Sequence, residues 1–188
     1  MNEKGQVEWV TGALAVLFVI LLGFIMFTAT VPAGNQGVQD TFGSVSNDTL
    51  ASGFHVKGPF TGVISMNLKT VQVQEKASVP TNEGLIVDLD TTVMYHLDST
   101  KVVDIYKTIG VNYQDVLVVP TVRSAIREVT SKYEAKALYS SNRDFLAMEI
   151  EQKISPSLAT RGIVVEQVLL RDLGLPRGMV RVESPQAP

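Results

Sequence analysis

Asp88 and Asp90 stand two residues apart in a run that alternates apolar and polar side chains. On a β-strand this spacing puts both carboxylates on one face, about 7 Å apart. Such a pair has the chemistry of a general acid and base, or of a seat for a hard cation. The ordinary alternative is a solvated strand face, where charged residues are at home. His55 and His96 are the only histidines, and neither has the i, i+4 partner or the nearby carboxylates of a metal-binding helix. Gly53 to Gly58 has the glycine spacing of a phosphate loop, but Lys57 precedes the second glycine and Pro59 follows it. The lysine and hydroxyl that would meet phosphate and magnesium are therefore missing. Ser131-Lys132 is a serine–lysine pair that needs a pocket to matter, and Asn47-Asp48-Thr49 matches a glycosylation triplet that acts only in secretory eukaryotic proteins. The residues thus predict no catalytic, cofactor-binding or metal-ligating set and no cofactor, with a hydrolase built on Asp88 and Asp90 as the alternative.

Composition narrows the classes further. A formal net charge of -3 gives no electrostatic footprint for nucleic acid, so none is expected as a partner. The absence of cysteine excludes disulfides, thiolate metal sites and a cysteine nucleophile, and leaves the redox compartment open. At 188 residues the chain has room for one ordinary core plus an anchor.

The anchor is predicted at residues 10–31. From Val10 to Val31 there is no charged side chain, and as a helix the run would be roughly 33 Å long, enough to cross a bilayer core. Trp9 stands at its edge, where interfacial aromatics are favoured. A cleaved signal peptide fits less well, although Val31-Pro32-Ala33 loosely imitates a cleavage site, because the leader holds Glu3 and Glu8 beside a single Lys4. Lys4 precedes the run and no Lys or Arg follows it until Lys57. That asymmetry predicts a cytosolic N-terminal tail (residues 1–9), a single-pass membrane protein and a domain on the non-cytosolic side.

Beyond Pro32-Ala33-Gly34 the pattern is that of an α+β domain over residues 32–176. Short β-prone runs at Gln36–Phe42, Phe54–Val56 and Gly62–Val79 predict a small antiparallel sheet. In Leu85–Leu97, Leu85, Val87, Leu89, Val93, Tyr95 and Leu97 share one face, while Asp88, Asp90, Thr92 and His96 share the other. Asp98-Ser99-Thr100 is expected to cap a short helix that runs to Ile109 and stops at Gly110. A longer amphipathic helix should follow Tyr113, with Val119, Val122, Ile126, Val129, Tyr133 and Ala137 inward and Pro120 in its first turn. Its Arg123, Arg127 and Lys132 are interspersed with Glu128 and Glu134, which fits a solvated face better than a lipid-binding patch. Ser141, with Asp144 three residues on, predicts the start of a second helix with Leu146, Ile150, Ile154 and Leu158 on one stripe. Pro156 should kink its last turn, Gly162 should end it, and Ile163 to Leu173 should return as a strand. Residues 177–188 read as a short polar tail.

The ordered motifs carry a resemblance. Val31-Pro32-Ala33-Gly34-Asn35-Gln36-Gly37-Val38, Phe42-Gly43 and Gly53-Phe54-His55 with Gly58-Pro59 come first. Thr81-Asn82-Glu83-Gly84-Leu85, Val93-Met94-Tyr95-His96-Leu97 and Ile109-Gly110-Val111-Asn112-Tyr113 follow. Pro120 through Glu128, Tyr139-Ser140-Ser141-Asn142-Arg143, Arg161 through Glu166 and Leu169 through Pro176 complete the series. This succession resembles the prohibitin branch of the stomatin/prohibitin/flotillin (SPFH, band 7) superfamily, bacterial type, from about Val10 to Pro176. The resemblance implies a noncatalytic membrane-anchored scaffold in contact with membrane lipid. It also implies homo- or hetero-oligomers with related SPFH subunits and association with an AAA-type membrane protease or with lipid microdomains. Relatives continue past the Leu-Pro pair into a long coiled-coil helix, whereas here Arg177-Gly178-Met179 and a proline-containing tail follow. The expectation is of a member lacking that coiled coil.

Overall fold

The computed structural model describes residues 3–139 and 143–174. They fall into two compact units divided between Asn67 and Leu68.

The first unit opens with helix α1 (Glu3–Met26). It ends earlier than the expected span of 10–31. Thr28–Val31 forms strand β1 and pairs antiparallel with β4 (Gly53–Val56), from Thr28 opposite Val56 to Val31 opposite Gly53. The β-branched residues Thr28, Thr30 and Val31 favour this extended pairing, which also buries Val31. Among the described residues no helix is long and apolar enough to cross a membrane. The uncharged part of α1, Trp9 to Met26, is about 27 Å long at ~1.5 Å per residue, short of a hydrocarbon core of about 30 Å.

Strand β2 (Asn35–Thr41) lies between β3 (Ser44–Leu50) and β5 (Thr61–Asn67), both antiparallel to it. β3 has no counterpart among the expected strands, because Ser44-Val45-Ser46-Asn47-Asp48-Thr49-Leu50 carries little apolar alternation. It forms as the return arm of a tight hairpin. Thr41 faces Ser44 across the two-residue turn Phe42-Gly43, both with positive φ, +52° and +85°, the arrangement that matches the twist of paired strands.

The second unit is a sheet in the order β6 (Val71–Pro80), β7 (Ile86–Leu97), β8 (Ile163–Gly174), antiparallel throughout. Val87, Leu89, Val93, Tyr95 and Leu97 are buried along β7, as the alternation predicts. Thr92, expected on the wet face, is buried as well, since a central strand has cross-strand neighbours on both sides, here Gln74 and Leu169. Helix α3 (Val119–Thr130) packs along β6 and α5 (Arg143–Ala159) along β8, and the two helices touch. Val122, Ile126 and Val129 from α3 meet the same core as Leu146, Ile150, Ile154 and Leu158 from α5.

Three helix boundaries depart from expectation. Asp98 does not cap α2 (Val102–Thr108): its carboxylate accepts the Thr100 N–H and hydroxyl, so the helix starts after Lys101. The long helix expected from Tyr113 to Ala137 is broken. Gln114–Val118 winds as one π-helical turn, α3 ends at Thr130, and Ala137 belongs to a separate short helix α4 (Ala135–Tyr139). The break is held from outside, because Asn82 N–H donates to Tyr133 O at 3.0 Å and Ala135 N–H to a Glu83 carboxylate oxygen at 3.2 Å. Pro120 does sit in the first turn of α3. Pro156 lies inside α5 without ending it. Both Pro156 and Gln152, whose carbonyl loses a partner, are exposed, so the missing hydrogen bond falls on the solvent side of the helix. Gly162 closes the helix with φ +83°, where a Cβ would come within 2.6 Å of Lys101 Cβ. Ser141 and the tail at 177–188 lie outside the described residues.

Candidate functional site

The strand face that brings Asp88 and Asp90 together also gives each a partner. Asp88 accepts the Ser78 hydroxyl, while Asp90 accepts both contacts of the Gln74 amide, at 2.9 and 2.7 Å, with Lys76 Nζ at 3.8 Å. The register sets this pattern, since Ser78 stands opposite Asp88 and Lys76 opposite Asp90. The carboxylates are thus engaged in a cross-strand polar ladder on the outer face of the sheet, and among the described residues no cluster of His, Asp and Glu could hold a metal ion.

The histidines serve local structure in different units. His55 bonds through Nε2 to Ala51 O at 2.7 Å. His96 Nδ1 meets Glu166 Oε1 at 2.5 Å, and the same oxygen accepts the Thr70 hydroxyl at 2.9 Å. The β7–β8 register slips between Met94 and Tyr95, leaving Glu166 as the extra residue of a bulge, which re-aims a side chain. Gly53–Val56 is the strand β4 and no phosphate loop, and Lys57 Nζ donates to Thr61 O at 2.8 Å. Ser131 donates to Glu128 O and Lys132 Nζ to Glu149 Oε1 at 3.1 Å, so the serine–lysine pair is divided between two partners. Thr49, of the Asn47-Asp48-Thr49 triplet, accepts the Gln36 amide.

The basic residues of α3 and α5 are largely answered within the unit. Arg123 Nε lies 2.6 Å from Glu75 Oε1, and Lys153 Nζ the same distance from Glu128 Oε1. Glu75 is buried on the edge strand β6, an inward charge of the kind that guards an edge against pairing with another chain. Sequence reasoning missed it, although a glutamate in the apolar register Val73, Glu75, Ala77, Val79 signals a buried partner. The Tyr95 hydroxyl donates to Gln114 Oε1 at 3.0 Å, with the Tyr113 ring edge-on at 6.5 Å. Burial pushes the Tyr95 phenol well up, and Tyr113 and Asp115 add to the effect. A groove of about 380 Å³ between α3 and α5 is lined by Pro120, Thr121, Ser124, Glu128, Lys153 and Ser157. Within it Lys153 is paired with Glu128, and the Thr121 hydroxyl donates to Leu117 O at 2.7 Å.

Apolar exposure is concentrated elsewhere. Leu14, Val16 to Leu21 and Phe24 to Met26 of α1 are all more than half exposed, as is Trp9. In the same unit Phe24 stacks on Phe54 at 6.4 Å and Phe42 on Phe60 at 5.5 Å. The sides of α1 are thus an apolar surface left uncovered among the described residues.

No curated protein matches the chain. Residues 29–182 match the SPFH domain / Band 7 family, a stretch that starts within β1 and takes in strands β2 to β8 and, among the described residues, the helices after α1. This chain therefore belongs to the SPFH domain / Band 7 family.

Proposed function

We propose that this chain is a noncatalytic, membrane-anchored scaffold subunit of the prohibitin type, which organises membrane complexes or modulates a membrane protease of the AAA type. The family is membrane-associated in general and generally of scaffold type. The observation that carries the reading is the uncovered apolar surface of α1, since a soluble protein rarely leaves a continuous patch of that kind facing water. The uncharged stretch is short for a span, and a bilayer meets such a mismatch by thinning locally or by snorkelling of flanking groups, at fractions of a kcal/mol per Å. The ordered motifs from Val31 to Pro176 support the prohibitin branch, with partners among related SPFH subunits. The Lys4 asymmetry supports a domain on the non-cytosolic side. The internal pairing of Arg123, Lys132 and Lys153 speaks against a role resting on anionic headgroups.

The test is extraction of membranes with alkaline carbonate. The full chain should stay in the pellet, because an inserted apolar helix is not released by charge disruption. Recovery in the supernatant would remove the anchor and with it the scaffold reading.

A further inference from the structure

The hairpin turn of β2–β3 places a phenylalanine where its backbone is least comfortable. Phe42 occupies the first position of the Phe42-Gly43 turn with φ +52°, a position that Asn, Asp or Gly fills far more readily. The residue is 85% exposed. Burial gains nothing from this arrangement within the chain, so strain and exposure together point outward to a partner.

The register supplies the second ring. Thr41 faces Thr61, and their hydroxyls meet at 2.9 Å, which brings Phe42, just after Thr41, beside Phe60, just before Thr61. Phe60 is 66% exposed and follows Pro59 in the turn closed by Thr61 N–H to Gly58 O at 3.1 Å. This turn lies next to the point where α1 ends. Lys57 N–H donates to Phe27 O at 2.8 Å, Val56 pairs with Thr28, and Val56 is itself 77% exposed. The end of α1, Val56 and the Phe42–Phe60 pair thus belong to one end of the first unit.

We propose that Phe42 and Phe60 form an aromatic foot that seats in the headgroup–acyl boundary of the lipid bilayer beside the end of α1. The inference rests on the anchoring of α1 proposed above. Three features select lipid over a protein partner. Phenylalanine is among the side chains that seat in the headgroup–acyl boundary when they are carried on an otherwise polar surface. Val56, paired with Thr28 just past the end of α1, is exposed as well, and the shortness of the uncharged stretch draws the end of the unit toward the boundary. The one lysine at this end, Lys57, donates to the Thr61 carbonyl, so insertion should not require anionic lipid.

The experiment uses the full chain in vesicles of zwitterionic phosphatidylcholine. In a Trp9→Phe background, which removes the only tryptophan, Phe60→Trp places a reporter in the foot. Circular dichroism checks that the fold is kept. Its emission should be blue-shifted, lost on substitution with acyl-brominated phosphatidylcholine, and insensitive to iodide. Adding Phe42→Asn, which suits the positive φ, should move the emission toward that of water and weaken the lipid quenching; unchanged emission would overturn the paired foot. Emission quenched by iodide and untouched by brominated lipid would overturn the proposal, and shielding from both would assign the pair to a protein surface or a second copy. A carbonate wash of the same vesicles separates the two readings. Retention with a water-exposed reporter refutes the foot alone, whereas release refutes the α1 anchor and the foot together.

Discussion

Glu149 of α5 accepts the Tyr133 hydroxyl at 2.7 Å and the Lys132 ammonium at 3.1 Å. The Tyr133 hydrogen bond, with Lys132 adding to it, holds the Glu149 carboxyl below the usual carboxylate range, and the same bond pushes the Tyr133 phenol up. A lowered carboxylate contributes stability that is complete above its unfolded pKa, about 4.3, and is lost as pH falls through the lower folded value. Tyr133→Phe removes the largest part of that effect. The melting temperature of the variant should therefore lie below that of the parent at neutral pH, and the gap should shrink below about pH 4 as Glu149 protonates in both. A gap independent of pH would mean that the hydroxyl contributes nothing through the charge of Glu149. Asp88, Asp90 and His96 likewise each have a polar partner within the second unit.

Elements that looked doubtful in sequence find their reason in exposure and in neighbours. Pro156 costs α5 one hydrogen bond, but on the solvent side of the helix. Pro156→Ala restores the missing N–H at an exposed helical position and should stabilise the second unit by about 1–3 kcal/mol, read as a higher urea midpoint with unchanged slope. No gain would mean that the turn needs proline for a bend the structure relies on. The π-helical turn at Gln114–Val118 and the break after Thr130 together shorten a helix whose apolar periodicity reads as continuous. Periodicity records which side chains face inward, and the contacts from Asn82 and Glu83 that end the helix come from a loop about fifty residues earlier in the chain.

At the scale of the whole molecule, the two units differ in how much they bury. Among the described residues the first has Val31, Val38 and Met66 as its buried apolar side chains, whereas the second collects the remaining core residues from three strands and its helices. A fragment of residues 68–188 should therefore fold alone and unfold in a single cooperative urea transition with a slope of about 1–2 kcal/mol/M; a broad, uncooperative loss of signal would show that its core depends on the first unit. The sequence by itself determined the α+β class, the apolar helix at the N-terminal end, the buried face of β7, the stripe of α5 and the strand that follows Gly162. Each of these is a short-range periodicity set by side chains meeting one common surface. Only the tertiary structure decided that Thr28–Val31 leaves the helix for a strand, that the polar run Ser44–Leu50 is a strand at all, and that Glu75 points inward to Arg123. It alone brought Phe42 and Phe60 together, through a strand register across twenty residues. The reason is common to all four: a backbone or charged group takes the conformation its partner satisfies, and those partners lie elsewhere in the chain, beyond the reach of any local pattern.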